Sequence, residues 1–379
     1  MYSYIHIPFC ESKCSYCRFA SISSLNRTII NTYISRLILD IGNFNLLNEK
    51  LDSIYFWWWT PSILDEKELF LILEKLKNKF SFKKNIEITI ETTAKNITLE
   101  KLKLWKKLEI NRISIWIQTL NNQTLEIIWR DKKKIILAWL DLLKDFITYT
   151  ASPPHQWEWF SYNISIDFII WLPFVKLWET LEDIKYILNN YDFIKHISVY
   201  MLEDYYEVKD EETWFNKITY PETWKNNSIK EEDYLVEYLE IKNYLETMGF
   251  YRYELSNFAK IGYECIHNKS YWNHSQNIWF WLWSHSFVNN TRYAYKDDFL
   301  GYYAWKLEYS EFLQENDIFL EKIMFQLRTS WIEKEIYEKL NTLKIDEFIK
   351  IWFLEMKNNN LIITDKTISL IDKIILELI

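Results

Sequence analysis

Six short apolar runs recur along the first half of the chain, at Tyr2–Ile7, Ser53–Phe56, Ile86–Ile90, Arg112–Ile117, Ile164–Ile170 and His196–Tyr200. Stretches with helical spacing separate them, at Asn31–Leu47, Asp65–Lys79, Leu99–Leu108, in turns through Phe146, and at Thr180–Asn190. Strand and helix in alternation leave few folds open, because parallel strands must be joined by crossovers of one hand. The spacing predicts an α/β chain whose six units curve into a partial, TIM-like (β/α)6 barrel. In parallel barrels the working residues collect where the strands end.

The first strand ends in a loop holding Cys10, Cys14 and Cys17, three of the four cysteines in the chain. Thiolates spaced C-x3-C-x2-C can face one point, as an iron–sulfur cluster or a soft metal requires. Three is an odd count for a disulfide framework and one short of a structural zinc. Three cysteines on a cubane cluster leave one iron open to a small molecule. Zinc with Cys265 as a distant fourth ligand, or three reduced thiols in a surface loop, are the alternatives at this point.

The other strand ends carry the 57–59 loop with Thr60, then Glu91, Gln118 and, within the fifth strand, Asp167. Any one of these polar residues is ordinary; their gathering on one rim is what points to a site. Residues 151–162, with Pro153 and Pro154, read as an inserted loop. Ile229–Met248 reads as a helix stopped by Gly249, and Phe250–Leu255 as a further strand. Beyond Gly301 the pattern turns helical (Asp317–Leu327, Lys334–Leu340, Ile345–Lys357), and the apolar runs Leu361–Ile363 and Ile368–Ile371 suggest the wing of a winged-helix module. The expected division is a core at 1–225, a connecting segment at 226–300 and a mainly helical, winged-helix-like domain at 301–379.

Nearly half the residues are apolar and the net charge is −8. That balance argues against a nucleic-acid partner, which calls for a basic stripe. The C-terminal module, from Asp317 onward, has 11 acidic and 9 basic residues, so packing or partner docking suits it better than DNA. No apolar run reaches about 18 residues, so no membrane span is expected. Met1-Tyr2-Ser3-Tyr4 lacks a signal-peptide pattern, and clustered cysteines suit a reducing compartment, so a cytoplasmic location is expected.

One count is abnormal. The chain has 20 Trp and 4 Gly, where average usage of about 7% would give roughly 26 glycines. The two counts together reach 24. Tryptophans stand where turns want glycine, as in Trp57-Trp58-Trp59 before Thr60-Pro61, and at Trp279, Trp281 and Trp283. The expectation is that UGA codons specify glycine here and that many of these positions are glycine in the cell.

With those positions read as glycine, the chain resembles the radical S-adenosylmethionine (SAM) enzymes. Within them it is similar to the family that unites heme chaperones and oxygen-independent coproporphyrinogen III oxidases. The resemblance runs along nearly the whole chain. It rests on Tyr-Ile-His-Ile-Pro-Phe-Cys at 4–10, Tyr-Phe-Trp-Trp-Trp-Thr-Pro-Ser at 55–62, Asn-Arg-Ile-Ser-Ile-Trp-Ile-Gln at 111–118 and Ile-Trp-Arg at 128–130. It continues through Asp-Phe-Ile-Ile-Trp-Leu-Pro at 167–173, Tyr-Glu-Leu-Ser-Asn-Phe-Ala at 253–259, His-Asn-Lys-Ser-Tyr-Trp at 267–272, Trp-Phe-Trp-Leu-Trp-Ser-His-Ser at 279–286 and Leu-Arg-Thr-Ser-Trp at 327–331.

The resemblance implies a radical SAM barrel. Cys10, Cys14 and Cys17 would hold a [4Fe–4S] cluster, and Tyr4, Trp59, Thr60, Glu91, Gln118, Arg130 and Asp167 would contact SAM. His267 would ligate heme, with His274 and His285 as further candidates. Heme, an acceptor protein for it and a reductant for the cluster are the implied partners. Three departures stand out: Arg18 where Asp is usual, Ala94 where Pro is, and Phe174 where Gly follows Leu-Pro; the last two bear on loop geometry. The oxidases carry a further cysteine two residues after the third cluster ligand, where this chain has Phe19, and a longer N-terminal arm. Both features, with the 267–272 motif, favour a heme chaperone; the alternative is coproporphyrinogen oxidation in porphyrin biosynthesis.

Overall fold

A computed structural model describes residues 1–379 except 12, 18–21, 23–24, 45–48, 58–60, 152–161, 203–221, 282–283, 297–298, 330–331, 333, 341, 358–359 and 379. The barrel half runs β1 (Tyr2–His6), α1 (Arg27–Asn43), β2 (Lys50–Trp57), α2 (Glu66–Lys79), β3 (Ser81–Thr93), α3 (Leu99–Lys107), β4 (Arg112–Gln118), α4 (Asn122–Ile127), α5 (Lys133–Ala151), β5 (Asn163–Ile170), α6 (Glu179–Asn190) and β6 (Ile194–Met201). Neighbours β1 to β6 pair in sequence order and in parallel, as expected of (β/α)6.

Parallel strands usually bury apolar side chains on both faces. Here only the outer face does so. Ile88, Ile90, Ile113, Ile115, Ile164 and Ile166 lie in the apolar layer against the helices, none of it exposed. Between them alternate buried polar residues, Glu87, Thr89, Glu91, Arg112, Ser114, Ser165 and Asp167. Each strand residue turns its side chain to the face opposite its neighbours, so the barrel is lined with polar groups. Burying one outward isoleucine contributes about 1.5–3 kcal/mol.

Beyond the barrel come α7 (Glu222–Lys225), α8 (Glu231–Thr247), β7 (Tyr251–Arg252), β8 (Asn257–Ala259) and α9 (Ile266–Trp272). The expected strand at Phe250–Leu255 is only the two-residue β7, antiparallel to β8 at the sheet edge beside β6. A meander that sequence reasoning missed follows: β9 (Asn277–Phe280), β10 (His285–Val288), β11 (Thr291–Tyr295), α10 (Phe299–Tyr303) and β12 (Leu307–Phe312). β9 pairs in parallel with β1, so among the described residues β9–β12 join β1–β8 in one sheet of twelve strands.

The remaining elements are α11 (Glu315–Gln326), α12 (Lys334–Tyr337), α13 (Thr342–Lys350), β13 (Leu354–Lys357), β14 (Asn360–Ile363) and α14 (Ile371–Leu378). They surround a second apolar core containing Ile323, Leu327, Leu354, Leu361 and Ile374. The helix expected to reach Lys357 stops at Lys350, and the hairpin is β13 with β14. Ile368–Ile371, expected as the second wing strand, is helical instead.

Several helices end in one way. After α4, the Trp129 N–H donates to the Glu126 carbonyl (3.2 Å) and the Arg130 N–H to that of Leu125 (2.7 Å). This pair of bonds closes a helix through a left-handed residue, the place where glycine is favoured. Gly249 does this after α8, at φ 79°. Trp129 (φ 63°), Trp305 (φ 54°) and Trp352 (φ 63°) occupy the same place after α4, α10 and α13.

Candidate functional site

The loop after β1 is pinned from three sides. The Tyr33 hydroxyl donates to the His6 carbonyl (2.7 Å), the Cys10 N–H to the Ile22 carbonyl (3.1 Å), and the Ser15 hydroxyl to the Ile127 carbonyl (2.9 Å). Cys10, Cys14 and Cys17 sit there as one buried, unbridged group. Among the described residues, no three His, Cys, Asp or Glu side chains are arranged to hold a single metal ion. Cys265, the fourth ligand of the zinc alternative, packs elsewhere, with Tyr55, Tyr253 and Ala259.

Glu91, Gln118 and Asp167 stand near the ends of the adjacent strands β3, β4 and β5. The Tyr55 hydroxyl donates to Glu91 Oε1 (3.1 Å). Gln118 follows a register shift and has φ 70°, a left-handed state that costs a non-glycine residue free energy. Its Oε1 is buried and, among the described residues, accepts no hydrogen bond. That orphan acceptor faces the chemistry a ligand amine or hydroxyl would supply. Asp167 accepts from Ser114 Oγ (3.2 Å) and Ser165 Oγ (3.4 Å), and burial raises its pKa to about 6.

Arg130, just past α4, reaches the cysteine loop through the Tyr16 hydroxyl (3.4 Å) and lies over the Trp116 ring. Tyr4 is fully buried between Trp57 and Trp279, and its hydroxyl meets His6 Nδ1 at 2.8 Å. Trp59 and Thr60 lie outside the described residues, as do Arg18, Phe19 and nearly all of the expected 151–162 insertion. Phe174, where the resemblance expects glycine, adopts φ 64°. Ala94 is buried in a short 3-10 turn after β3.

His267 is not on this rim. It opens α9, fully buried, with Nδ1 2.8 Å from Ser53 Oγ and Nε2 2.8 Å from the Tyr271 hydroxyl. Burial, with the Arg112 charge second, lowers its pKa to about 3. Both ring nitrogens are engaged, so it can ligate an iron only by giving up one of these bonds. His274 is bonded to Glu321 (2.7 Å) and His285 to Tyr309 (3.0 Å).

Sequence reasoning passed over Arg112, Ser114, Ser165, His196, Ser198 and Tyr253, all buried. The signal was present: a polar residue at every second place in strands otherwise made of isoleucine.

Residues 4–152 match the radical SAM superfamily. The chain is 30% identical to the heme chaperone HemW of Buchnera aphidicola subsp. Schizaphis graminum, over 73% of this chain and 67% of that protein. It is 28% identical to the heme chaperone HemW of Bacillus subtilis, over 76% and 72%. Its fold is similar to that of coproporphyrinogen III oxidase (HemN) from Escherichia coli, described as a radical SAM enzyme, with a TM-score of 0.78 at 16% identity, covering 99% of this chain and 88% of that one. On this similarity, the chain belongs to the HemW family of radical SAM proteins.

Proposed function

We propose that this protein is a heme chaperone, which binds heme and passes it to an acceptor protein while holding a [4Fe–4S] cluster and SAM in the barrel mouth. The observation that carries the reading is the similarity to HemW heme chaperones along most of the chain, where likeness to the oxidase is one of fold. Phe19, at the place of the additional oxidase cysteine, supports it.

Cys10, Cys14 and Cys17 are the ligands for the cluster, which when bound supplies an open iron and a source of single electrons. The buried, unbridged thiols and the orphan acceptor of Gln118 fit such a pair of cofactors. Glu91 and Asp167 suit the ammonium and ribose hydroxyls of SAM, and Arg130 its carboxylate. Tyr4, Trp59 and Thr60 match further SAM-contacting positions of the family. Heme binds at the segment His267-Asn268-Lys269-Ser270-Tyr271-Trp272, with His267 released from Tyr271 or Ser53 to act as ligand.

Anaerobic reconstitution followed by parallel assays tests this. Heme titration should give a saturable Soret band with about one heme per chain, weakened in His267→Ala, while coproporphyrinogen III is left unchanged. Vinyl formation from coproporphyrinogen III with SAM consumption would establish the oxidase instead.

A further inference from the structure

Asp167 stands at the end of a buried chain of hydrogen bonds that begins at Cys265, the N-cap of α9. The backbone N–H of Cys265 donates to the Tyr253 hydroxyl oxygen (3.3 Å). That hydroxyl lies 2.8 Å from His196 Nε2, His196 Nδ1 lies 2.7 Å from Ser165 Oγ, and Ser165 Oγ donates to Asp167 Oδ1 (3.4 Å). An ionised Asp167 carboxylate can only accept, so Ser165 must donate to it, and this fixes the direction of the rest. Tyr253 uses its proton on Nε2, Nδ1–H donates to Ser165, and Ser165 donates to the carboxylate. His196 is fully buried beside the Arg112 charge, which suits the neutral ring this order requires.

We infer that Ser165, His196 and Tyr253 are positioning residues for Asp167. They aim one carboxylate oxygen, keep the other toward Ser114, and tie the SAM rim to the first turn of the His267 helix. The inference rests on the reading of Asp167 as a SAM contact. Strand contacts alone would not require one histidine tautomer, whereas this relay does.

Equilibrium binding of SAM to the cluster-loaded protein tests it, together with the ¹⁵N shifts of His196 in the unliganded protein. Ser165→Ala and Tyr253→Phe should each weaken SAM binding about fivefold, the worth of one hydrogen bond near 1 kcal/mol. Ser165→Thr should restore it, and Tyr253→Phe should abolish the single Nδ1–H tautomer. If Asp167→Asn leaves SAM affinity unchanged, the SAM reading of Asp167 fails. If Asp167→Asn weakens binding while the Ser165 and Tyr253 variants bind as the parent does, or His196 carries its proton on Nε2, the relay fails.

A second inference comes from the backbone. Among the described residues, eleven other than glycine have positive φ, and five of them are tryptophan: Trp129, Trp171, Trp178, Trp305 and Trp352. Among the described tyrosines and phenylalanines, Phe174 alone takes the same state. Nothing about an indole favours left-handed backbone, which costs roughly 1–2 kcal/mol per residue and is free to glycine. Trp129 and Trp352 are 65% and 66% exposed, so no packing offsets the cost.

We infer that these five positions are glycine in the cellular protein, their codons being UGA read as glycine. UGA at the five codons, and glycine in peptides of the protein from its own source, are expected; UGG codons or tryptophan in those peptides would overturn it. In the chain as written, Trp352→Gly should raise the urea midpoint and Trp352→Ala should not. Equal effects of the two would remove the backbone argument.

Discussion

The Glu87 carboxylate accepts the backbone N–H of His267 at 3.0 Å, so the first turn of α9 is held by the third barrel strand. The same group accepts from the Ile266 N–H (3.0 Å). Glu87→Ala would leave these donors buried and unmatched beside Arg112, whose Nε and Nη1 already bond to none of the described residues. The expected loss is about 3–5 kcal/mol in urea unfolding, with Glu87→Gln falling between it and the parent.

The thiols divide three to one. Serine at Cys10, Cys14 or Cys17 should each remove most cluster iron and the visible absorption after reconstitution. Cys265→Ser, changed in a separate buried cluster, should leave the iron count at the parent value.

The two faces of β4 should respond differently to truncation. Ile115→Ala opens a hole in the fully buried outer layer and should cost about 2–5 kcal/mol. Ser114→Ala, on the inner face, removes a donor to Asp167. It should change SAM affinity severalfold and stability little, as paired titration and denaturation would show.

Four buried carboxyl groups set a pH dependence. Burial raises Asp167 and Asp183 to about 6, and Glu237 and Glu254 to about 7. A raised carboxyl pKa means that the folded chain keeps a proton the unfolded chain has released, so its contribution is lost as pH rises. The neutral His196 and His267 act the opposite way below about pH 6.5, so the check is a comparison: from pH 4 to 7.5 Asp167→Asn should lose less urea stability than the parent. SAM binding should run the opposite way, weakening below about pH 6 as Asp167 takes up its proton.

The barrel was legible because its strands and helices have clean periods. The β9–β12 meander was not, because its strands are short and crowded with aromatic residues that mark no period. Extending the helix to Lys357 continued an apolar pattern past Trp352, whose left-handed backbone ends it. The partners of His267 were hidden for another reason. Ser53 comes from β2, far away in sequence, and local pattern carries no trace of such a meeting.

The first strand of the chain is an interior strand of the sheet, flanked by β2 on one side and by β9 on the other. Tyr2 therefore waits for Asn277 before its ladder is complete. During synthesis from the N-terminus, the strand that carries the cysteine loop keeps one edge bare until Asn277 and its strand have been made. Contacts so distant in sequence close slowly, and a bare edge invites pairing with other chains.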